Sequence, residues 1–392
     1  MKSAAWLPLI VTSALTATGV EARVIVFTNP NTNPLSTPLT TAVPPTTEPA
    51  PLLTGAPGSP STPTAATGPL ARVDATPATA GGIQQARQDF PEQWAKLQAI
   101  MDAPAAQVSE AVDCAIETPD LPYIDQREHP CTSYWGNKRL AQVLQYPWRA
   151  IGKLKMKEGS WYEGTAQIIS GTANQTLIVT AAHNIWDDNT HALASEIRFI
   201  PGEREGVAPY GQYDYAQAFV LSEYIDHLGA GDRPRYDVAL LTLKPNALGR
   251  AAHTYTGTLG IKWNVPYVMS VNQIGYPDSG IYTKIAVCQT FSAVFTEAQK
   301  CYPYPTDNMV FAGSALIQGA SGSAWIDSFR PYFDKAGNYV VSVISGGAAC
   351  NLGGMHIVNL RNINNGPRFA DDNIGALCAQ AGCVNGGPGT RH

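Results

Sequence analysis

Three residues in this 392-residue chain are of types that together could carry out acyl transfer to water: His183, Asp237 and Ser321. That chemistry needs a nucleophile, a base to deprotonate it, a group to orient the base, and donors for the developing oxyanion. His183 closes Thr180-Ala181-Ala182-His183, directly after the apolar run Leu177-Ile178-Val179. This puts an imidazole at a strand's end, beside small residues that let other segments come close. Asp237 opens the apolar run Val238-Ala239-Leu240-Leu241. A carboxylate there is partly buried and needs a partner such as an imidazole N–H. Ser321 lies in Gly319-Ala320-Ser321-Gly322-Ser323, where the glycines permit a tight turn that exposes Oγ and aims the backbone N–H groups of Gly319 and Ser321 at one point. Ser323 competes as nucleophile but lacks glycine both two positions before it and one after.

Each segment alone has a bland reading: a structural histidine, a strand-capping aspartate, a loop in a chain with 35 glycines. Jointly they say more, because they occur in the order His, Asp, Ser with separations of 54 and 84 residues (237 minus 183, 321 minus 237).

The elements that must position them are short. From about Arg139 onward, runs such as 164–169, 176–179 and 237–243 are β-rich and divided by Gly, Pro, Asn and Asp, which predicts an all-β barrel or sandwich. Before that, residues 83–115 predict one or two short helices: Pro91 suits a first helical turn, and Trp94, Leu97 and Met101 recur at helical spacing. From about Asn29 to Gly82, Pro, Thr, Ala, Gly and Ser dominate, a composition that buries too little apolar surface to offset the entropy of ordering. At the start, Lys2 and the apolar stretch from Ala4 to about Ala17 read as an export signal. The expected organisation is a signal at 1–22, a Pro/Thr-rich linker at 23–82, a helical pro-segment or N-terminal extension at 83–138, and a catalytic domain at 139–392.

Composition excludes some partners. Charged residues are 15% of the chain and the net charge is −5, with no basic footprint for nucleic acid and no polybasic membrane patch. No later segment is long and apolar enough to insert stably in a bilayer. A His-Glu-x-x-His pair and a Gly-Lys-Ser/Thr phosphate loop are both missing, and no cofactor or metal is implied. The seven cysteines suit disulfides in an oxidising compartment; the local pairs Cys114/Cys131, Cys288/Cys301 and Cys378/Cys383 would close short loops and leave Cys350 over.

The three segments together resemble the signatures of the trypsin-like serine peptidase family. Gly275-Tyr276-Pro277 is similar to a segment of its bacterial V8-like, glutamyl-endopeptidase-like branch. The resemblance spans roughly residues 145–360. It implies two six-stranded antiparallel β-barrels, a triad of His183, Asp237 and Ser321, an oxyanion hole from the Gly319 and Ser321 amides, and a secreted enzyme acting on proteins or peptides. By the same resemblance Ser345-Gly346-Gly347 lines the substrate cleft, with the Ser345 hydroxyl helping to hold Asp237 and the Gly347 backbone pairing with an extended substrate. The departures are informative. Asn184 follows His183 where animal trypsins commonly carry cysteine, and Ala320 stands where they have the aspartate that binds a freed N-terminus. Ala315 stands where an aspartate would select Lys or Arg, and Ile344 where glutamyl endopeptidases use histidine. An apolar or small residue at the cleaved bond is therefore the expected preference. The competing expectation is a catalytically silent trypsin-like domain serving as a binding or adhesion module.

Overall fold

The computed structural model describes residues 22–30, 69–77, 80–102, 134–135, 144–172, 175–228, 233–266, 269–277, 288–295, 309–313, 316, 319–330, 337–347, 350–352, 355–357 and 363–383. The chain is mostly β. Six strands, Ile151–Glu158, Ser160–Ile169, Thr176–Thr180, Glu196–Pro201, Tyr213–Leu221 and Ala239–Leu243, pair antiparallel. Pairing of Tyr213–Leu221 with Ala239–Leu243 closes them into a barrel. All five residues of Thr176–Thr180 and of Ala239–Leu243 are buried. These strands are covered on both faces, which is why their sequences read as continuous apolar runs rather than alternating ones.

A second sheet follows the path Gly260–Trp263, Tyr339–Val343, Ala324–Asp327, Met269–Gly275, Cys288–Phe295, Met309–Gly313, Ile363–Pro367 and Gly346–Gly347. Its pairs are antiparallel except the first, which is parallel. Among the described residues this path does not close.

Three pieces of the span expected to be linker are strands: Val24–Thr28, Ala71–Val73 and Thr76–Pro77, the last paired antiparallel with Gly257–Thr258. Val24–Thr28 pairs antiparallel with Tyr213–Leu221, in the register Val24↔Leu221 to Thr28↔Gln217, with Val24 and Val26 buried. It covers the part of that strand which Glu196–Pro201, paired only at Asp214 and Tyr213, leaves open. Ala71–Val73 pairs with Gly260–Trp263 in the second sheet. A composition averaged over 23–82 hides Val24-Ile25-Val26-Phe27, a β-branched apolar run at its border that finds an unpaired strand edge.

The expected helices are Ala80–Asp89 and Pro91–Asp102, the second opening on Pro91. They pack where the chain turns at 208–211 and on the short helix His253–Thr256. Trp94 Nε1 donates to the Pro209 carbonyl at 2.8 Å, its ring meets Tyr210 edge-on at 6.2 Å, and the Arg87 guanidinium lies 4.7 Å over it. Leu97 is fully buried, and Asp89 accepts from Tyr255 and pairs with Arg250. Near the C-terminus, a disulfide joins Cys378 to Cys383 across the end of the helix Ala376–Ala381. Cys114, Cys131 and Cys301, and the side chains of Cys288 and Cys350, lie outside the described residues. Among the described residues no helix is long and apolar enough to cross a membrane.

Candidate active site

His183 and Asp237 meet because their strands are neighbours. Thr176–Thr180 pairs with Ala239–Leu243 with Thr180 opposite Ala239, so residues just past the end of one and just before the start of the other share one rim of the barrel. The chain leaves the first strand through Ala181 and Ala182, both fully buried, into the 3-10 turn Ala182–Asn184. It enters the second through the 3-10 turn Arg233–Tyr236.

Asp237 grips His183 at two points. Oδ1 accepts the His183 backbone N–H at 2.9 Å, and Oδ2 lies 2.7 Å from the ring Nδ1. Ser345 Oγ donates to the same Oδ2. The Asp237 side chain is 5% exposed, that of His183 33%. Burial opposes ionisation of Asp237, but the His183 charge and the hydrogen bonds from His183 and Ser345 outweigh it and hold the carboxyl below its ordinary value. For His183, burial pushes down most, but the charge and the hydrogen bond of Asp237 together with the Asp188 charge outweigh it, so the imidazole sits above its ordinary value. Beside an ionised carboxylate the Nδ1 position carries the proton, which leaves Nε2 as the basic nitrogen of the neutral ring.

The serine loop is docked onto this rim from the second sheet. Gly319 and Gly322 take left-handed backbone angles, φ +85° and +82°. The Ser321 carbonyl accepts two hydrogen bonds from the barrel, from Thr165 N–H at 2.8 Å and from Asn184 Nδ2 at 2.9 Å. Asn184 Nδ2 also donates to Thr180 Oγ1 at 2.9 Å, and that hydroxyl donates to the Thr165 carbonyl at 2.7 Å. Thr165 Oγ1 accepts from Tyr276 N–H at 2.9 Å and donates to the Gly319 carbonyl at 3.3 Å. Gly322 N–H donates to the Ile344 carbonyl at 2.7 Å. Ser321, half-buried, is thus tied through its carbonyl to Asn184, the residue that follows His183. Ser323 is fully buried, its hydroxyl turned to Gly275, where any Cβ would coincide with Oγ. That packing explains the glycine of Gly275-Tyr276-Pro277 and removes Ser323 as an accessible nucleophile.

Ser345 is therefore beside Asp237, and its N–H donates to the Asn365 carbonyl at 2.9 Å. Gly347 lies in the short strand Gly346–Gly347, opposite Asn364. Ala315 lies outside the described residues; its neighbour Leu316 is buried and its carbonyl accepts from Asn364 Nδ2 at 3.0 Å. Leu316, Ala320 and Ile344 belong to one apolar cluster next to the serine loop. Thr165, Thr180 and Asn184 were not singled out as site residues from sequence; only the departure at Asn184 signalled one of them.

A closed β-barrel that pairs a histidine with a buried carboxylate at its rim, against a glycine-flanked serine delivered from a second sheet, is the architecture of a trypsin-like serine peptidase. The trypsin family model matches residues 123–364, more than half of the chain, and the chain belongs to that family. Among solved structures it is similar to the protease Anisep from Arthrobacter nicotinovorans, with 20% identity, a TM-score of 0.49, and coverage of 61% of this chain and 97% of that one. It is also similar to the thermostable serine protease AL20 from an extremophilic microorganism, with 17% identity, a TM-score of 0.49 and coverage of 60% and 97%. A Glu endopeptidase in complex with MPD matches with 18% identity, a TM-score of 0.46 and coverage of 64% and 96%. No curated protein matches the chain in sequence.

Proposed function

We propose that the chain is a secreted serine endopeptidase that cleaves protein or peptide bonds through an acyl-enzyme, with Ser321 as nucleophile, His183 as general base and then acid, and Asp237 as the group that fixes the imidazole's tautomer. The two-point grip of Asp237 on His183 carries this reading, because it leaves the imidazole one basic nitrogen and one orientation. The amides of Gly319 and Ser321 form the oxyanion hole, and the cross-barrel bonds to the Ser321 and Gly319 carbonyls hold that turn in place. In this reading the second sheet is the family's second six-stranded barrel, and the cleft between the two is lined by Ala315, Ser345 and Gly347. The apolar cluster of Leu316, Ala320 and Ile344 favours an apolar or small substrate side chain over a charged one. Residues 1–22 direct export, 23–82 form the linker apart from its paired ends, and the helices within 83–138 are an extension of the peptidase domain 139–392.

Ser321→Ala tests the reading. The variant is expected to fold as the parent does, to lose labelling by a fluorophosphonate, and to lose several orders of magnitude in peptidase rate. Near-parental hydrolysis by this variant overturns the assignment, and a parent chain that takes no label is a silent binding module instead.

A further inference from the structure

Outside the triad, one half-buried pair of charges joins the same two loops. Asp188 lies five residues beyond His183, past the short strand Trp186–Asp187, and Arg233 opens the 3-10 turn that leads into Asp237. The Arg233 guanidinium meets the Asp188 carboxylate with both terminal nitrogens, Nη1 to Oδ2 at 2.8 Å and Nη2 to Oδ1 at 2.5 Å. Its Nε donates to the Tyr224 carbonyl at 2.7 Å, and its Cζ lies 4.0 Å over the Tyr224 ring. Tyr224 is buried in the short helix Ser222–Asp226. The Arg233 side chain is 14% exposed and that of Asp188 37%, so solvent reaches the carboxylate side and the pair is only partly shielded from screening.

We propose that Arg233 and Asp188 are positioning residues that tie the histidine loop to the aspartate turn while presenting His183 with two opposite charges that offset one another. This rests on the reading of His183 and Asp237 as the base and its orienting group. The planar fork suits the tie, because one guanidinium makes a bidentate bond to one loop while its Nε and its planar face hold Tyr224 of a second element.

The balance follows from the charges around the imidazole. Asp237 is in contact with it and favours its protonated form; Asp188 acts in the same direction and Arg233 against it. Asp187 and Glu158 stand farther out on the adjoining strands, where Asp187 and Asp188 act on Glu158, and the nearby phenols of Tyr162 and Tyr224 stay neutral because burial pushes both up. Removing either member of the tie alone therefore leaves the other uncompensated, and the two removals act on His183 with opposite sign. A purely structural strut has no such signature.

The test compares Arg233→Met, Asp188→Asn, Arg233→Lys and the Met/Asn double variant in the full chain. His183 is titrated by NMR through its Cε1–H, the pH profile of kcat/KM is recorded, and thermal unfolding is followed in parallel. Arg233→Met is expected to raise the His183 midpoint and move the acid limb of kcat/KM to higher pH; Asp188→Asn is expected to do the reverse, and the double variant to return close to the parent. Arg233→Lys keeps the charge and loses the fork, so its midpoint stays near the parent's while kcat falls about tenfold or more, since a misplacement of about 1 Å at reacting groups costs about 10²-fold and a smaller one proportionately less. Midpoints that both move the same way, or neither move, overturn the proposal, as does an Arg233→Lys variant with parental kcat. The NMR titration reads the tie even in a chain without activity, so its failure is separable from that of the peptidase reading, which the absence of fluorophosphonate labelling in the parent chain would overturn.

Discussion

The docking of the serine loop onto the barrel can be broken at one atom, by Gly322→Ala. Gly322 has φ +82°, and a Cβ there would come closer than 3.0 Å to three atoms at once: the Thr165 carbonyl oxygen, Thr180 Oγ1 and Asn184 Nδ2. The first is backbone, and the other two belong to the hydrogen-bonded set that holds Ser321, so none can swing aside alone. The loop must withdraw by the better part of an ångström, and a misplacement of about 1 Å at reacting groups costs about 10²-fold in rate. The left-handed angle adds about 1–2 kcal/mol of conformational cost, and the overpacking about 1–3 kcal/mol. Gly206→Ala is the matched control, since Gly206 has φ +83° and nothing within 4 Å of the added Cβ. The assay is kcat/KM on a peptide substrate with thermal unfolding of both variants: Gly206→Ala should lose stability with activity intact, and Gly322→Ala should lose both. A Gly322→Ala enzyme within about threefold of the parent would refute the claim that the barrel positions the nucleophile turn, for which the handful of bonds to Thr165 and Asn184 is the warrant.

Ser345→Ala removes one donor to the Asp237 carboxylate, a charge-assisted bond of about 1.5–3 kcal/mol. Asp237 has a depressed folded value, so its contribution to stability is fully present above the carboxyl's unfolded value and is lost as pH falls from there through the folded value; in the variant the folded value lies higher, so the acid loss should be smaller and complete at higher pH, as followed by thermal unfolding across an acid series. Trp94→Ala empties a buried site that holds the N-terminal helices to the Pro209–Tyr210 turn, at a cost of about 3–5 kcal/mol. Calorimetry should show the whole domain melting earlier; a domain melting unchanged would mark the helices as a detachable pro-segment.

The order and flanking residues of His183, Asp237 and Ser321 are legible in sequence because each sits in a local pattern: an apolar strand followed by small residues, a carboxylate heading a strand, a serine between glycines. The helix Pro91–Asp102 is legible for the same reason, from Pro91 and the spacing of Trp94, Leu97 and Met101, whereas Ala80–Asp89 begins inside the span read as linker. The strand Val24–Thr28 was hidden by averaging over a Pro/Thr-rich window. The clamp of Thr165, Thr180 and Asn184 on the serine loop has no local pattern at all, because Asn184 and Ser321 stand 137 residues apart and the bond joins a side chain to a backbone carbonyl.

Residue identity alone thus determined which groups are capable of acyl transfer and in what order they come. Tertiary structure decided which serine is accessible, since Ser321 is half-buried at the rim while Ser323 is sealed against Gly275. It also set the contacts between segments far apart in the chain, of Asn184 and Thr165 with the serine loop and of Arg233 with Asp188. The physical reason is range: strand and turn propensities act over a few residues, whereas hydrogen bonds and charges between loops depend on where whole sheets come to rest.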